Sequence, residues 1–255
     1  MRLHHLNCGT LRLFRAPLVC RVLLLETDNG LVLIDTGFGM GDIEDPVTRL
    51  GPIRHLVRPD LDPAETALRQ IEGMGLRPSD VRHILLTHGD PDHIGGLSDF
   101  PHARVHMSAE EARALHDQPS LPERHRYRTA QIAHGPDIVA HAPGECNWQG
   151  FAGVTVLDDI AEGLLMVPIP GHSRGHSGYA VRQGNRWLLH VGDMFYHRST
   201  LEGGFGGMPW ALRSLETLAA FDRHAIAANH HHAADLSARA RNDIDIVCTH
   251  DPSGF

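Results

Sequence analysis

The sequence lacks several things, and each absence narrows the answer. It has only four cysteines, Cys8, Cys20, Cys146 and Cys248, and no Cys-x-x-Cys pair. That pattern excludes a paired-cysteine metal or redox motif and reads as free thiols in a reducing compartment. No apolar run approaches the roughly 20 residues that a membrane-spanning helix needs. The opening MRLHHLNCGT has no basic segment followed by an apolar core, so no signal peptide is expected and the expected location is cytoplasmic. Positive charge is also short: 23 Lys and Arg face 31 Asp and Glu, a formal net charge of −8. This argues against nucleic-acid binding driven by general electrostatics, although it leaves room for a local basic groove. There is no internal repeat, low-complexity tract or linker. What remains is an ordinary globular composition, 42% hydrophobic and 21% charged, over 255 residues. Length alone allows one large domain or two small ones.

One stretch organises the chain: Ile84-Leu85-Leu86-Thr87-His88-Gly89-Asp90-Pro91-Asp92-His93-Ile94-Gly95-Gly96-Leu97. Ile84 to Leu86 reads as a short buried strand that stops at a polar turn carrying Gly89 and Pro91. Four potential metal ligands, His88, Asp90, Asp92 and His93, then crowd into six residues, with no Lys or Arg among them. Like charges crowded at a strand end need a cation to offset them. His88 and Asp90 are placed to share one ion, and Asp92 and His93 a second. Two imidazoles and two carboxylates suit zinc, or a harder ion such as iron or manganese. Gly95 and Gly96 let the backbone pass close to the site as a helix begins.

The rest of the chain reads as strand hairpins with intervening helices, a layered α/β protein. Val22 to Glu26 and Leu31 to Ile34 flank Asp28-Asn29-Gly30, a hairpin signal. Phe38 to Asp60 reads as a loop. Helices are expected over about Pro63 to Met74, ended by Gly75, and over Pro209 to Phe221, from apolar spacing. Val105 to Met107 is a short strand, and Ser108-x-x-Glu111 a candidate capping box opening a helix to about His116. From Asp117 to Gly150 regularity fades. Arg124-His125-Arg126-Tyr127-Arg128 and Trp148 there read as a solvated surface, with contact to an anionic or planar substrate as the alternative. Val154 to Leu157 and Leu164 to Ile169 are strands. Tyr179 to Arg182 and Trp187 to Val191 form a further hairpin. The three adjacent histidines up to His232 cannot share one helix face and read as exposed rather than as a metal site. Ile244 to His250 alternates like a final strand, with Cys248 a small buried residue.

The stretch around His88 resembles the signature of the metallo-β-lactamase superfamily, usually His-x-His-x-Asp-His, with Asp90 standing where a histidine is usual. Further motifs of that family follow in order: Asp35 in LVLIDTG, His172 in PIPGHSRGHSG, Asp193 in LLHVGDMFY and His250 in DIVCTHD. Five in register across almost the whole chain are specific for the superfamily but not for a substrate. The resemblance implies a four-layer αββα sandwich, and ligand candidates spread from His88 to His250 favour a single domain over residues 1–255.

It also implies a site. His88, Asp90 and His172 would hold one ion; Asp92, His93 and His250 a second; Asp193 would bridge them. Asp35 and His176 would orient these groups from behind. Two divalent ions, zinc first and iron or manganese because of Asp90, would share a hydroxide about 3.5–4 Å-spaced sites can hold, with water's pKa moved from 15.7 toward about 7. The expected reaction is attack of that metal-bound hydroxide on an ester, lactone or thioester of a small molecule. Tyr196, at the spacing of a site tyrosine in the family's acyl-homoserine lactonases, would help polarise the carbonyl, and Asp92 would carry a proton to the leaving group. Three site carboxylates and a hydroxide would cancel the charge of two divalent ions, making a weaker Lewis acid than the usual histidine would leave. The alternatives are an iron-dependent oxidoreductase of the same fold and a catalytically silent metal-binding protein. The expected partner is a small-molecule substrate, with no nucleic acid and no membrane.

Overall fold

Strand β1 (Arg2–Leu11) lies beside the hairpin that Asn29-Gly30 predicts, formed by β2 (Leu18–Thr27) and β3 (Gly30–Ile34). The structure is a computed structural model in which residues 1–13, 17–202 and 208–253 are described. Two compact units emerge. The first comprises Met1–Met107, Ala112–Ala140 and Pro252–Phe255; the second comprises Ser108–Glu111 and His141–Asp251.

The sheet of the first unit runs β1-β2-β3-β4-β5-β6, with β4 at Val81–Leu85, β5 at Arg104–Ser108 and β6 at Asp137–His141. β1, β2 and β3 pair antiparallel, whereas β3–β4 and β4–β5 are parallel. The central strands are continuous apolar runs because both faces are covered: Leu23, Leu24, Leu25, Leu33, Ile34, Ile84 and Leu85 are fully buried. Each such side chain contributes roughly 1.5–3 kcal/mol relative to exposure. Parallel β3 and β4 end side by side, Ile34 opposite Leu85, so the residues that follow them, Asp35 and Thr87-His88, leave the sheet at one edge. Carboxyl ends of parallel strands are where α/β sheets place ligand-binding turns.

The second unit's sheet runs β12-β11-β10-β9-β8-β7. Its strands are β7 (Cys146–Trp148), β8 (Phe151–Val156), β9 (Leu164–Pro168), β10 (Ser177–Gln183), β11 (Arg186–His190) and β12 (Ile244–Val247). Neighbours are antiparallel except β11 and β12, which are parallel. Val167, Ala180, Leu189 and Val191 build its core with Ala233 and Leu236 of the helix Arg223–Arg239.

Three expectations need correction. Phe38 to Asp60 is not a plain loop: it holds the short helices Met40–Glu44, Pro46–Leu50 and Arg54–Val57. At four or five residues they are too short to show a 3.6 period. The segment after Asp117 is likewise ordered, with a helix at Leu121–Arg126 and strands β6 and β7. Ser120 and Glu123 close a capping box at that helix's start. β1 carries no clear strand signal in its sequence, which includes two adjacent histidines. The three adjacent histidines are not uniformly exposed. They sit in a 17-residue helix whose buried stripe is Ile226, His230, Ala233 and Leu236, and His230 occupies a core position. Among the described residues, no helix is long and apolar enough to cross a membrane.

Candidate metal centre

In the first unit the site begins with Asp35, a non-glycine residue at φ 60. That left-handed backbone is costly for most side chains and tolerable for Asp. Here it turns the carboxylate back over the strand ends. Oδ1 accepts the Thr87 N–H at 2.8 Å; Oδ2 accepts the Thr87 hydroxyl at 2.8 Å and lies 2.8 Å from His93 Nδ1. A buried carboxylate beside an imidazole fixes Nδ1 as its donor and presents Nε2 as the ligand atom. The backbone repeats the constraint, since Thr36 N–H and hydroxyl both donate to the His93 carbonyl, at 2.9 and 2.7 Å.

His88 and His93 are both fully buried, their rings 4.0 Å apart by centroid. Asp92 lies in the first turn of the short helix Pro91–Ile94 and places Oδ1 4.0 Å from His93 Nε2. Cys20, buried on β2, points its thiol at Asp92 Oδ2 across 3.9 Å. Asp90 Oδ2 is 3.2 Å from His88 Nε2, and both Asp90 oxygens are also gripped by Arg126. Gly95 is required: a Cβ there would run into the Asp42 carboxylate and the Gly37 carbonyl. Burial pushes the Asp42 carboxyl up, opposed by the Gly39 N–H and by Arg49, whose Nε donates to it at 2.8 Å.

The second unit brings together His172, Asp193 and His250 from three separate turns. Asp193 Oδ2 lies 3.0 Å from His250 Nε2 and 3.5 Å from His172 Nε2, with all three residues buried. One carboxylate oxygen facing two imidazole nitrogens is a donor set that suits a borderline divalent cation. Parallel pairing of β11 with β12 delivers two of the three, because the Thr249 N–H bonds the Gly192 carbonyl just beyond the strand ends. His176 is spent on the backbone: Nδ1 donates to the Ile169 carbonyl at 2.9 Å and Nε2 accepts the Asp193 N–H at 3.0 Å. Tyr196 stands edge-on to His250, centroids 5.0 Å apart, and 6.0 Å from His172.

One buried glutamate holds the turn of His172 and a second holds the backbone at Tyr196, and sequence reasoning missed both roles. Glu111 Oε2 accepts the Ser173 hydroxyl at 2.7 Å and the Gly175 N–H at 3.0 Å, clamping the turn that carries His172. Ser108 does accept the Glu111 N–H, the first half of the expected capping box, but it donates to the Gly175 carbonyl at 2.6 Å. The Glu111 side chain therefore serves the histidine turn. Glu216 Oε1 accepts the Tyr196 N–H at 3.1 Å, and His230 Nε2 donates to the Met194 carbonyl at 2.9 Å. A Ser-x-x-Glu signal was visible in the sequence; its partner, distant along the chain, was not. The basic-aromatic cluster also resolves into separate tasks. Arg126 pairs with Asp90, Arg128 donates to the Thr48 carbonyl, Tyr127 is buried, and Trp148 packs edge-on against Trp187.

The model of the Metallo-beta-lactamase superfamily matches residues 15–231. This chain belongs to that superfamily. Within it, the chain is 52% identical to "Probable metallo-hydrolase Rv2300c" of Mycobacterium tuberculosis over 252 residues, covering 99% of this chain and 81% of that protein. It is 25% identical over 250 residues to "N-acyl homoserine lactonase AttM" of Agrobacterium fabrum, covering 91% of this chain and 81% of that one. A solved N-acyl homoserine lactone hydrolase with the product N-hexanoyl-L-homoserine bound at its catalytic metal center matches with a TM-score of 0.70 at 18% identity, over 98% of this chain and 93% of that chain. The α/β fold with two mixed sheets is thus the metallo-β-lactamase fold, as the motifs implied.

Proposed function

We propose that this superfamily member is a metal-dependent hydrolase of small-molecule carboxylic esters, lactones or thioesters. The observation that carries the reading is the buried Asp193 carboxylate set against His172 Nε2 and His250 Nε2. Its relatives, a probable metallo-hydrolase at 52% identity and an N-acyl homoserine lactonase at 25%, support the same reading. In this reading His88, Asp92 and His93 from the first unit and His172, Asp193 and His250 from the second serve one pair of divalent ions, zinc in the first instance. The support for joining the two sets is the family membership and the donor chemistry of each.

When bound, such ions lower the pKa of water and polarise a carbonyl. The chain's own groups do the rest. Asp35 keeps His93 in the tautomer that offers Nε2. Asp193 offers a carboxylate between two histidines. The Tyr196 hydroxyl donates to the substrate's carbonyl oxygen, where negative charge develops. Asp92 takes a proton released from the attacking water and returns it to the departing alkoxide or thiolate. Water is added across the C–O or C–S bond, giving an acid and an alcohol or thiol. The negative net charge of −8 disfavours polyanionic substrates such as nucleic acid.

The test is a panel of a lactone, a thioester, a simple ester and a phosphodiester, with and without chelator, on protein of measured metal content. Chelator-sensitive cleavage of the first three classes is expected. Full metal occupancy with no cleavage of any of them, or oxygen consumption with a thiol substrate in their place, would overturn the reading.

A further inference from the structure

Arg126 is delivered to Asp90 by construction. Its helix, Leu121–Arg126, is capped at Ser120 and Glu123, and the next residue, Tyr127, is buried against Gly89, where a Cβ would come within 3.1 Å of the tyrosine ring. The chain neighbours of both partners are therefore packed together. The guanidinium forms a fork on the carboxylate: Nε to Oδ1 at 2.5 Å and Nη2 to Oδ2 at 2.7 Å, with side chains only 19% and 16% exposed. A bidentate, partly buried pair of this kind is held in one geometry, as a solvated surface ion pair is not.

A carboxylate has about four lone-pair sites, and an arginine fork occupies the two on its open side, those best placed for a cation. Asp90 Oδ2 also lies 3.2 Å from His88 Nε2, and with the fork in place only the lone pair outside it is left for an ion. We propose that Arg126 withholds Asp90 from the metal. Where the superfamily's usual signature supplies a histidine ligand, this chain supplies an electrically neutral Arg126–Asp90 pair. Resting on the dinuclear reading above, the inference has two consequences. The ion on the His88 side has fewer protein ligands than the ion on the His93 side, so the two bind with unequal affinity. The extra negative charge of Asp90 is offset by Arg126, so the pair leaves the centre's charge where a neutral imidazole would.

Zinc titration of metal-free protein against a chromophoric chelator tests this. The parent should take up two zinc ions in two affinity classes. The charge-conserving double variant D90N/R126Q removes the carboxylate and the guanidinium together; both affinities should stay within about threefold of the parent. Arg126→Gln alone frees Asp90 to become a ligand and should tighten the weaker class by about tenfold. If that variant does not fold, Arg126→Lys, whose ammonium holds the carboxylate at a single point, should tighten it in the same direction by less. Loss of the weaker ion in D90N/R126Q, or weaker or unchanged binding in the folded Arg126 variant, overturns the inference while leaving the dinuclear reading intact. A parent that takes up no zinc, iron or manganese overturns both.

Discussion

The two histidine–aspartate sets are built in opposite ways. In the first unit, His88, Asp90, Asp92 and His93 come from one turn at the end of β4, and a single buried carboxylate, Asp35, holds that turn from the neighbouring strand. In the second, His172, Asp193 and His250 come from three turns; Glu111 clamps the turn of His172 and Glu216 holds the backbone at Tyr196, both from segments that hold no ligand. The local set is stiff because strand pairing and Asp35 act on the same few atoms. The dispersed set depends on each turn being held separately. Damage to a clamp should therefore strike metal binding first in one unit and folding first in the other.

Replacing Asp35 should have the larger effect. Asparagine tolerates the left-handed backbone, so Asp35→Asn isolates the carboxylate from the strain. An amide cannot accept from Thr87 N–H, the Thr87 hydroxyl and His93 Nδ1 together. Metal affinity measured by chelator competition should fall about 10–100-fold, the usual cost of losing such a partner. A fall of less than threefold would mean that His93 does not need its orienting carboxylate. The smaller effect belongs to Glu111→Gln. The amide oxygen can take the place of Oε2 and still accept from both Ser173 and Gly175, so what is lost is the charge behind the two buried bonds, a cost of about 1–3 kcal/mol. For a chain of this size that corresponds to a melting temperature lower by several degrees, with metal affinity changed by less than about fivefold. Should Glu111→Gln lose metal as severely as Asp35→Asn while keeping its melting temperature, the contrast between the units collapses.

The same contrast decides what was legible in the sequence. The turn at His88 could be read from its residues because four candidate ligands follow an apolar strand within six positions. His172, Asp193 and His250 carry no local signal of that kind; only the family motifs picked them out. The hairpin of β2 and β3 was legible because Asn29-Gly30 states its turn chemistry, and β10 with β11 for a similar reason. The helix Arg223–Arg239 was hidden because its core stripe includes His230, a polar residue made acceptable by the Met194 carbonyl. The pairing of Arg126 with Asp90 was invisible for a different reason. Bringing residues 36 apart into a fork is the work of the capped helix and of Tyr127 packing on Gly89. Each of those signals alone looks like surface.

The most direct test of the central claim, that the two sets serve one pair of ions, is the metal count of the Asp193→Ala variant by native mass spectrometry, beside that of the parent. Asp193 belongs to the second unit, yet as a shared ligand it should matter to both ions. The account predicts two divalent ions per parent chain and a substantial loss of both in the folded variant. A variant that keeps the ion held by Asp92 and His93 at the parent's affinity would contradict it.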